Sequence, residues 1–147
     1  MQESSASTPE RIVIEGHFSG FEPAELFTYW TEPEKLVQWW PKVAVVEPRV
    51  GGEYAFSWPE MDWHLRGEYT VFDPTGRLGF TWLWDHDPMR ENVLRVLLLM
   101  DPHPDGGTLL RVEHGPFSAE NADDRQGIVE GWLHFGMRLA GLKESSA

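Results

Sequence analysis

Residues 65–82 read LRGEYTVFDPTGRLGFTW. At the centre, Asp73-Pro74-Thr75-Gly76 has the chemistry of a tight turn. Before it, Leu65, Tyr69 and Val71 fall on one face of an extended chain, opposite Arg66, Glu68 and Thr70. After it, Leu78, Phe80 and Trp82 share a face that Trp84 continues. Two alternating runs joined by a tight turn predict an antiparallel hairpin with one wet and one dry face.

Working outward, the same pattern repeats. Upstream, RIVIEGHFS (11–19) puts Ile12, Ile14 and Phe18 opposite Arg11, Glu15 and His17, a half-buried strand. VAVVEP (43–48), the turn RVGG and EYAFSW (53–58) add two strands, with Tyr54, Phe56 and Trp58 on one face. Downstream, VLRVLLLM (93–100) and TLLRVEHG (108–115) flank the turn DPHPDGG, and Leu110, Val112 and His114 point the same way. Two short helices are expected between the first and second strands. One carries Leu26, Phe27 and Trp30. The other is opened by a capping box, Thr31 to Glu34, and closed at Trp40 by Pro41. A long helical pattern from about Ser118 to Lys143 closes the chain, with Glu120, Asp123 and Asp124 in its first turn and Lys143 in its last. Ile128, Trp132, Phe135, Leu139 and Leu142 form its stripe. Gly127, Gly131, Gly136 and Gly141 interrupt it, each at about 1 kcal/mol relative to alanine. That cost implies either close backbone approach or room left beside the helix.

The order is one strand, two short helices, six strands and a long helix, which predicts an α+β domain of about seven antiparallel strands wrapped around the last helix. Residues 1–10 are small and polar and read as a disordered tail, 11–143 as a single domain and 144–147 as a second tail. There is no cysteine among the 147 residues, so disulfides, thiolate metal sites and cysteine nucleophiles are excluded. The N-terminus has no basic region followed by an apolar run, and no apolar run reaches membrane length, so a cytoplasmic protein is expected. A net charge of −12 without a basic stripe disfavours nucleic acid and anionic membranes as partners. Glu130 and His134 stand four apart and Asp85–Asp87 reads DHD, but no second histidine completes a metal set. Neither metal nor cofactor is expected.

Eight tryptophans, eight phenylalanines and three tyrosines are the conspicuous feature. A curved sheet gripping a helix encloses a space, and inward parity nominates its lining: Tyr54, Phe56, Trp58, Tyr69, Phe80, Trp82, Trp84, Met100, His114, Trp132 and Phe135. Loop-proximal Trp58, Met61, Trp63, Trp84 and Met89 are candidates for its rim. In EKLVQWWPK (34–42), Trp40 continues the stripe of Leu36 and is assigned to the core, leaving Trp39 toward the mouth. His114 has two readings: a structural imidazole bonded at a strand end, which is the commoner case, or a general base or ligand-orienting group. Tyr54 and Tyr69 could offer hydroxyls. Arg66, Glu68 and His64 read as a solvated outer trio.

Five segments carry a resemblance: EPEKLVQWWP (32–41), VEPRVGGEYAF (46–56), the hairpin 65–82, GGTLLRVEHGPF (106–117) and GWLHFGMRLAGL (131–142). In this order they resemble the SRPBCC superfamily of START-like, helix-grip proteins. Within it, they are similar to the branch named after the C-terminal domain of the heat-shock-chaperone ATPase activator. The resemblance implies a helix-grip fold with a hydrophobic cavity, in a family of lipid and polyketide binders, polyketide cyclases, stress proteins and chaperone activators. It implies no shared catalytic set. Chaperone activation is not carried over, because the chain reads as one domain without a chaperone-binding partner domain. A small hydrophobic ligand, aromatic, polyketide-like or lipid-like, is therefore expected, held without turnover. Two rivals stand beside it: a cyclase or hydrolase-like enzyme with His114 as base and a tyrosine as donor, and a protein-interaction module, with a homodimer left open.

Overall fold

A computed structural model of the chain describes residues 1–85, 93–119 and 122–144, with side chains to Leu142. Along it run β1 (Gln2–Glu3), β2 (Ile12–Phe18), α1 (Pro23–Thr31), α2 (Pro33–Leu36), β3 (Val43–Val46), β4 (Glu53–Trp58), a 3₁₀ turn (Pro59–Met61), β5 (Trp63–Asp73), β6 (Arg77–Trp84), β7 (Leu94–Pro102), β8 (Thr108–Gly115) and α3 (Ala122–Glu144). The strands form a sheet in the order β1-β2-β8-β7-β6-β5-β4-β3, every neighbouring pair antiparallel. One face of that sheet packs on the helices. This is the α+β, helix-grip arrangement implied by the resemblance.

The alternation predicted from sequence sets the inner face almost throughout. Ile12 and Ile14 of β2, Leu78 and Phe80 of β6, Leu98 and Met100 of β7, and Leu110 and Val112 of β8 are all buried in one core. The turn at residues 73–76 forms as its chemistry requires. The Asp73 carboxylate accepts from the Thr75 amide (3.0 Å) and hydroxyl (2.7 Å), and Gly76 takes the positive φ of 140° that closes it.

Four features differ from the sequence expectation. The sheet has eight strands, because the supposed tail supplies one. Gln2 and Glu3 pair with Glu15 and Ile14, the Ser4 amide donates to the Val13 carbonyl (2.7 Å), and Arg125 holds Glu3 (3.0 Å) and the Thr8 carbonyl (2.9 Å). The physical reason is the edge of β2, whose free backbone groups take a partner wherever one is in reach. Second, β5 carries an irregularity between Tyr69 and Val71. It flips the parity, so that Tyr69 is buried, Val71 is exposed and Phe72 packs against the core. Third, the capping box does not form. The Thr31 hydroxyl donates to the Phe27 carbonyl inside α1 (3.1 Å), and α2 starts from Glu32 and ends at Leu36, before the tryptophan pair. Fourth, α3 begins at Ala122 and splits its stripe. Val129, Trp132 and Leu139 are buried, whereas Ile128 and Phe135 are only half-buried. Glu120 lies outside the described residues.

Among the described residues no helix is long and apolar enough to cross a membrane.

Candidate functional site

For the tryptophan pair, the sequence expectation holds for Trp40, which is buried in the core and also faces the cavity, and fails for Trp39. Because α2 stops at Leu36, residues 39 and 40 sit in a turn and helical periodicity no longer assigns their faces. Trp39 is completely buried, and its indole N–H donates to the Tyr29 carbonyl (2.9 Å). That carbonyl belongs to the last turn of α1, where backbone acceptors have no helical partner. Trp39 is thus a side-chain cap for one helix, delivered from beyond the next. Trp40 faces the other way. It lies 6.0 Å from Trp82 in a near-parallel stack (24°), 5.6 Å from Trp132 and 5.1 Å from Phe56.

Trp40 opens onto a cavity of about 370 Å³ between the sheet and α3. Its walls include six of the eight tryptophans: Trp40, Trp58, Trp63, Trp82, Trp84 and Trp132. They touch in series, with Trp132 5.7 Å from Trp82, Trp82 5.8 Å from Trp84, and Trp84 5.5 Å from Trp58 and 6.2 Å from Trp63. The remaining two, Trp30 and Trp39, back Trp40 at 5.7 and 5.4 Å. On the helix side the lining is Gly127, Ile128, Gly131, His134, Phe135 and Arg138; Lys42 and Met61 complete the rim.

The helix glycines now separate into two kinds. A Cβ added at Gly127 or Gly131 would meet nothing within 4 Å, so these two leave room on the cavity side. At Gly136 it would run into the sulfur of Met1, whose side chain packs on α3. Both sequence-level readings hold, at different positions.

Of the residues nominated from sequence, Trp58, Met61, Trp63, Trp82, Trp84, Trp132 and Phe135 are brought together in the lining. The others are not. Tyr54, Phe56, Tyr69 and Phe80 fill the core beneath Trp40, around a gap with no room for a water. Met100 is buried away from the cavity, and Trp39 is the helix cap just described. Met89 and part of the DHD cluster (His86 and Asp87) lie outside the described residues. Sequence reasoning placed Trp40 in the core and passed over Lys42, Ile128, His134 and Arg138 as lining residues. The i, i+3 and i, i+4 spacing of Gly127, Gly131, His134 and Arg138 along one helix face was the available signal.

His114 is buried and faces inward as parity predicted, but it does not line the cavity. It sits behind two wall residues, 4.7 Å from Trp82 and 6.0 Å from Trp132. Trp132 Nε1–H donates to its Nδ1 (3.0 Å), which leaves the ring proton on Nε2. Burial pushes its pKa down to about 3, so it is neutral at physiological pH. Its visible role is to orient Trp132. Tyr54 donates to the Thr81 carbonyl (2.6 Å), and burial raises the pKa of both Tyr54 and Tyr69, with Tyr69 adding to the shift at Tyr54. Neither hydroxyl reaches the cavity. On the outer face, Arg66 pairs with Asp85 (3.0 Å), and His64 bridges Ser57 (2.9 Å) and Asp62 (3.0 Å). Among the described residues no three His, Cys, Asp or Glu side chains converge to hold a metal ion.

With this geometry in place, the relatives can be compared. The family model described as activator of Hsp90 ATPase homolog 1-like protein matches residues 21–144. The chain belongs to that family. A Mesorhizobium loti protein, MLL2253, shares 26% identity and a TM-score of 0.81 over 93% of this chain and 98% of its own. A Rhodobacter sphaeroides protein shares 22% identity with a TM-score of 0.81 over 99% of both chains. DynU16, from the dynemicin biosynthetic locus, has the same fold at 17% identity and a TM-score of 0.77, over 93% of this chain and 48% of its own. No curated protein matches the chain.

Proposed function

We propose that this chain binds a small hydrophobic molecule in the tryptophan-lined cavity and holds it without turnover. The observation that carries the reading is the cavity itself: about 370 Å³, walled by six tryptophans, with glycines on the facing helix where larger side chains would close it. Ligand cavities run from about 300 to 1,000 Å³, so this one suits a compact ligand. It is roughly two and a half times the ~150 Å³ apolar cavity that takes up a benzene, which points to two or three fused rings or a short folded chain. Tryptophan faces supply area and stacking at low entropic cost, which favours a flat, ring-bearing body.

Holding without turnover is supported by what lies outside the lining. A general base must reach the proton it removes, and the nominated groups His114, Tyr54 and Tyr69 are all walled off. His134, the imidazole in the lining among the described residues, is an exposed rim group. The occurrence of the fold in a protein of the dynemicin biosynthetic locus agrees with a small-molecule ligand.

The test is a tryptophan-fluorescence titration with a panel of two- and three-ring phenols and medium-chain fatty acids, alongside native mass spectrometry of the protein as purified. Saturable quenching by at least one compound, at one site per chain, is expected. A flat response across the panel, with no co-purified mass, would refute the reading.

A further inference from the structure

The chain has twice as many acidic as basic residues, 24 against 12, yet among the described residues no carboxylate lines the cavity. Among the described residues its ionisable lining groups are Lys42, His134 and Arg138. Seven other cations of the described residues (Arg11, Lys35, Arg49, Arg66, Arg77, Arg111 and Arg125) each have a carboxylate partner. Lys42 and Arg138 have none among the described residues. Arg95, on the outer face of the sheet, is the remaining unpaired one. Of the three cations left without a carboxylate partner among the described residues, two therefore stand at the mouth of one apolar cavity. Arg138 is also positioned there, its guanidinium 5.8 Å from the ring of Phe135, itself a lining residue.

Resting on the binding reading above, we infer that the ligand is an organic acid. Its ring-bearing body lies among the tryptophans and its carboxylate, or an equivalent anion, meets Lys42 and Arg138 at the mouth. Arg138 offers a planar donor fork suited to a carboxylate, Lys42 a point charge and His134 a ring N–H. A tryptophan cage alone would equally suit an organic cation, whose charge is attracted to ring faces. The two unpaired cations decide against that occupant, because a like charge at the mouth repels it. A neutral ligand could accept a hydrogen bond from either but would gain no charge attraction. The overall charge of −12 does not overturn the local preference. At physiological ionic strength charges beyond about 8 Å are largely screened, whereas a carboxylate at the mouth is in contact with its partners.

The magnitude is testable. One exposed charge contact near 4 Å in water corresponds to about five-fold in affinity, so losing both corresponds to about 25-fold. Calorimetric titrations at physiological ionic strength would compare 2-naphthoic acid, methyl 2-naphthoate and a naphthylmethyl-trimethylammonium salt on the wild-type chain and on the Lys42→Gln/Arg138→Gln double variant. The acid is expected to lose about 25-fold on the double variant, the ester less than about two-fold, and the cation to gain. Acid and ester binding with equal sensitivity to the double substitution would overturn the inference while leaving the cavity reading intact, as would a wild-type chain that prefers the cation. Failure of all three probes to bind would refute the cavity reading and this inference together.

Discussion

Gly131 offers the sharpest separation of stability from function. It lies in the middle of α3, where glycine is less favourable than alanine by about 1 kcal/mol, and an added Cβ would meet no atom within 4 Å. Gly131→Ala therefore collects the backbone gain without a clash. For a chain of this size about 1 kcal/mol raises the melting temperature by roughly 2–4 °C. Gly131→Leu collects a similar gain, since leucine is nearly as good a helix former, and its side chain enters the cavity against the tryptophans. Burying a leucine side chain contributes a further 1.5–3 kcal/mol or so where the fit is good. The same substitution occupies the space the ligand needs. The expected pattern is a rise in melting temperature for both variants by circular dichroism, with binding of the aromatic panel kept by Gly131→Ala and lost by Gly131→Leu. Such a trade is typical of sites held open at a cost in stability. A Gly131→Ala protein that melts lower than wild type would refute the claim of open space beside the helix. A Gly131→Leu protein that binds as wild type does would place the ligand elsewhere.

Other consequences are as direct. Trp39→Phe removes the N–H that caps the Tyr29 carbonyl and should cost about 2–3 kcal/mol in urea unfolding, with probe affinity unchanged; weakened binding without loss of stability would contradict the assignment of Trp39 to the core. His114 has a folded pKa of about 3 against an ordinary 6.5. On acidification the unfolded chain therefore takes up the proton first, and stability falls as pH drops from 6.5 toward 3. Between pH 7 and pH 5 wild type should lose about 2 kcal/mol more than a His114→Gln variant; parallel pH profiles would show that the histidine is not buried neutral. Gly67→Ala would drive a Cβ onto the Thr81 carbonyl and against the Tyr54 ring, and should cost about 1–3 kcal/mol by chemical denaturation, whereas a neutral outcome would mean that β5 and β6 separate easily there.

Much of this was legible along the chain, and the exceptions have a common cause. The hairpin at residues 65–82, the strand order around it and the inward turn of His114 follow from two-residue alternation, which survives wherever a strand is regular. It fails at Val71 because the irregularity after Tyr69 moves the chain by one residue, and nothing local announces that. The assignment of Trp39 to the mouth fails because helical periodicity was carried past Leu36, where the helix has already ended. What fixes Trp39 is a carbonyl on α1, ten residues earlier, and only the packing of two helices brings the two together. The pairing of Gln2 and Glu3 depends on the edge of β2, not on the composition of the tail. The aromatic walls were visible because tryptophans on inward parity are conspicuous. The charged mouth was not, since Lys42 and Arg138 lie far apart along the chain and neither is unusual by itself.

The central claim, that six tryptophans surround an open ligand cavity and two do not, can be read from the eight indole N–H signals of a two-dimensional nitrogen–proton spectrum during titration with 2-naphthol. The account predicts saturable shifts for Trp40, Trp58, Trp63, Trp82, Trp84 and Trp132, with the signal of Trp39 unmoved in its bond to Tyr29. An unchanged spectrum, or shifts at Trp39 and Trp30 as large as at the other six, would contradict it.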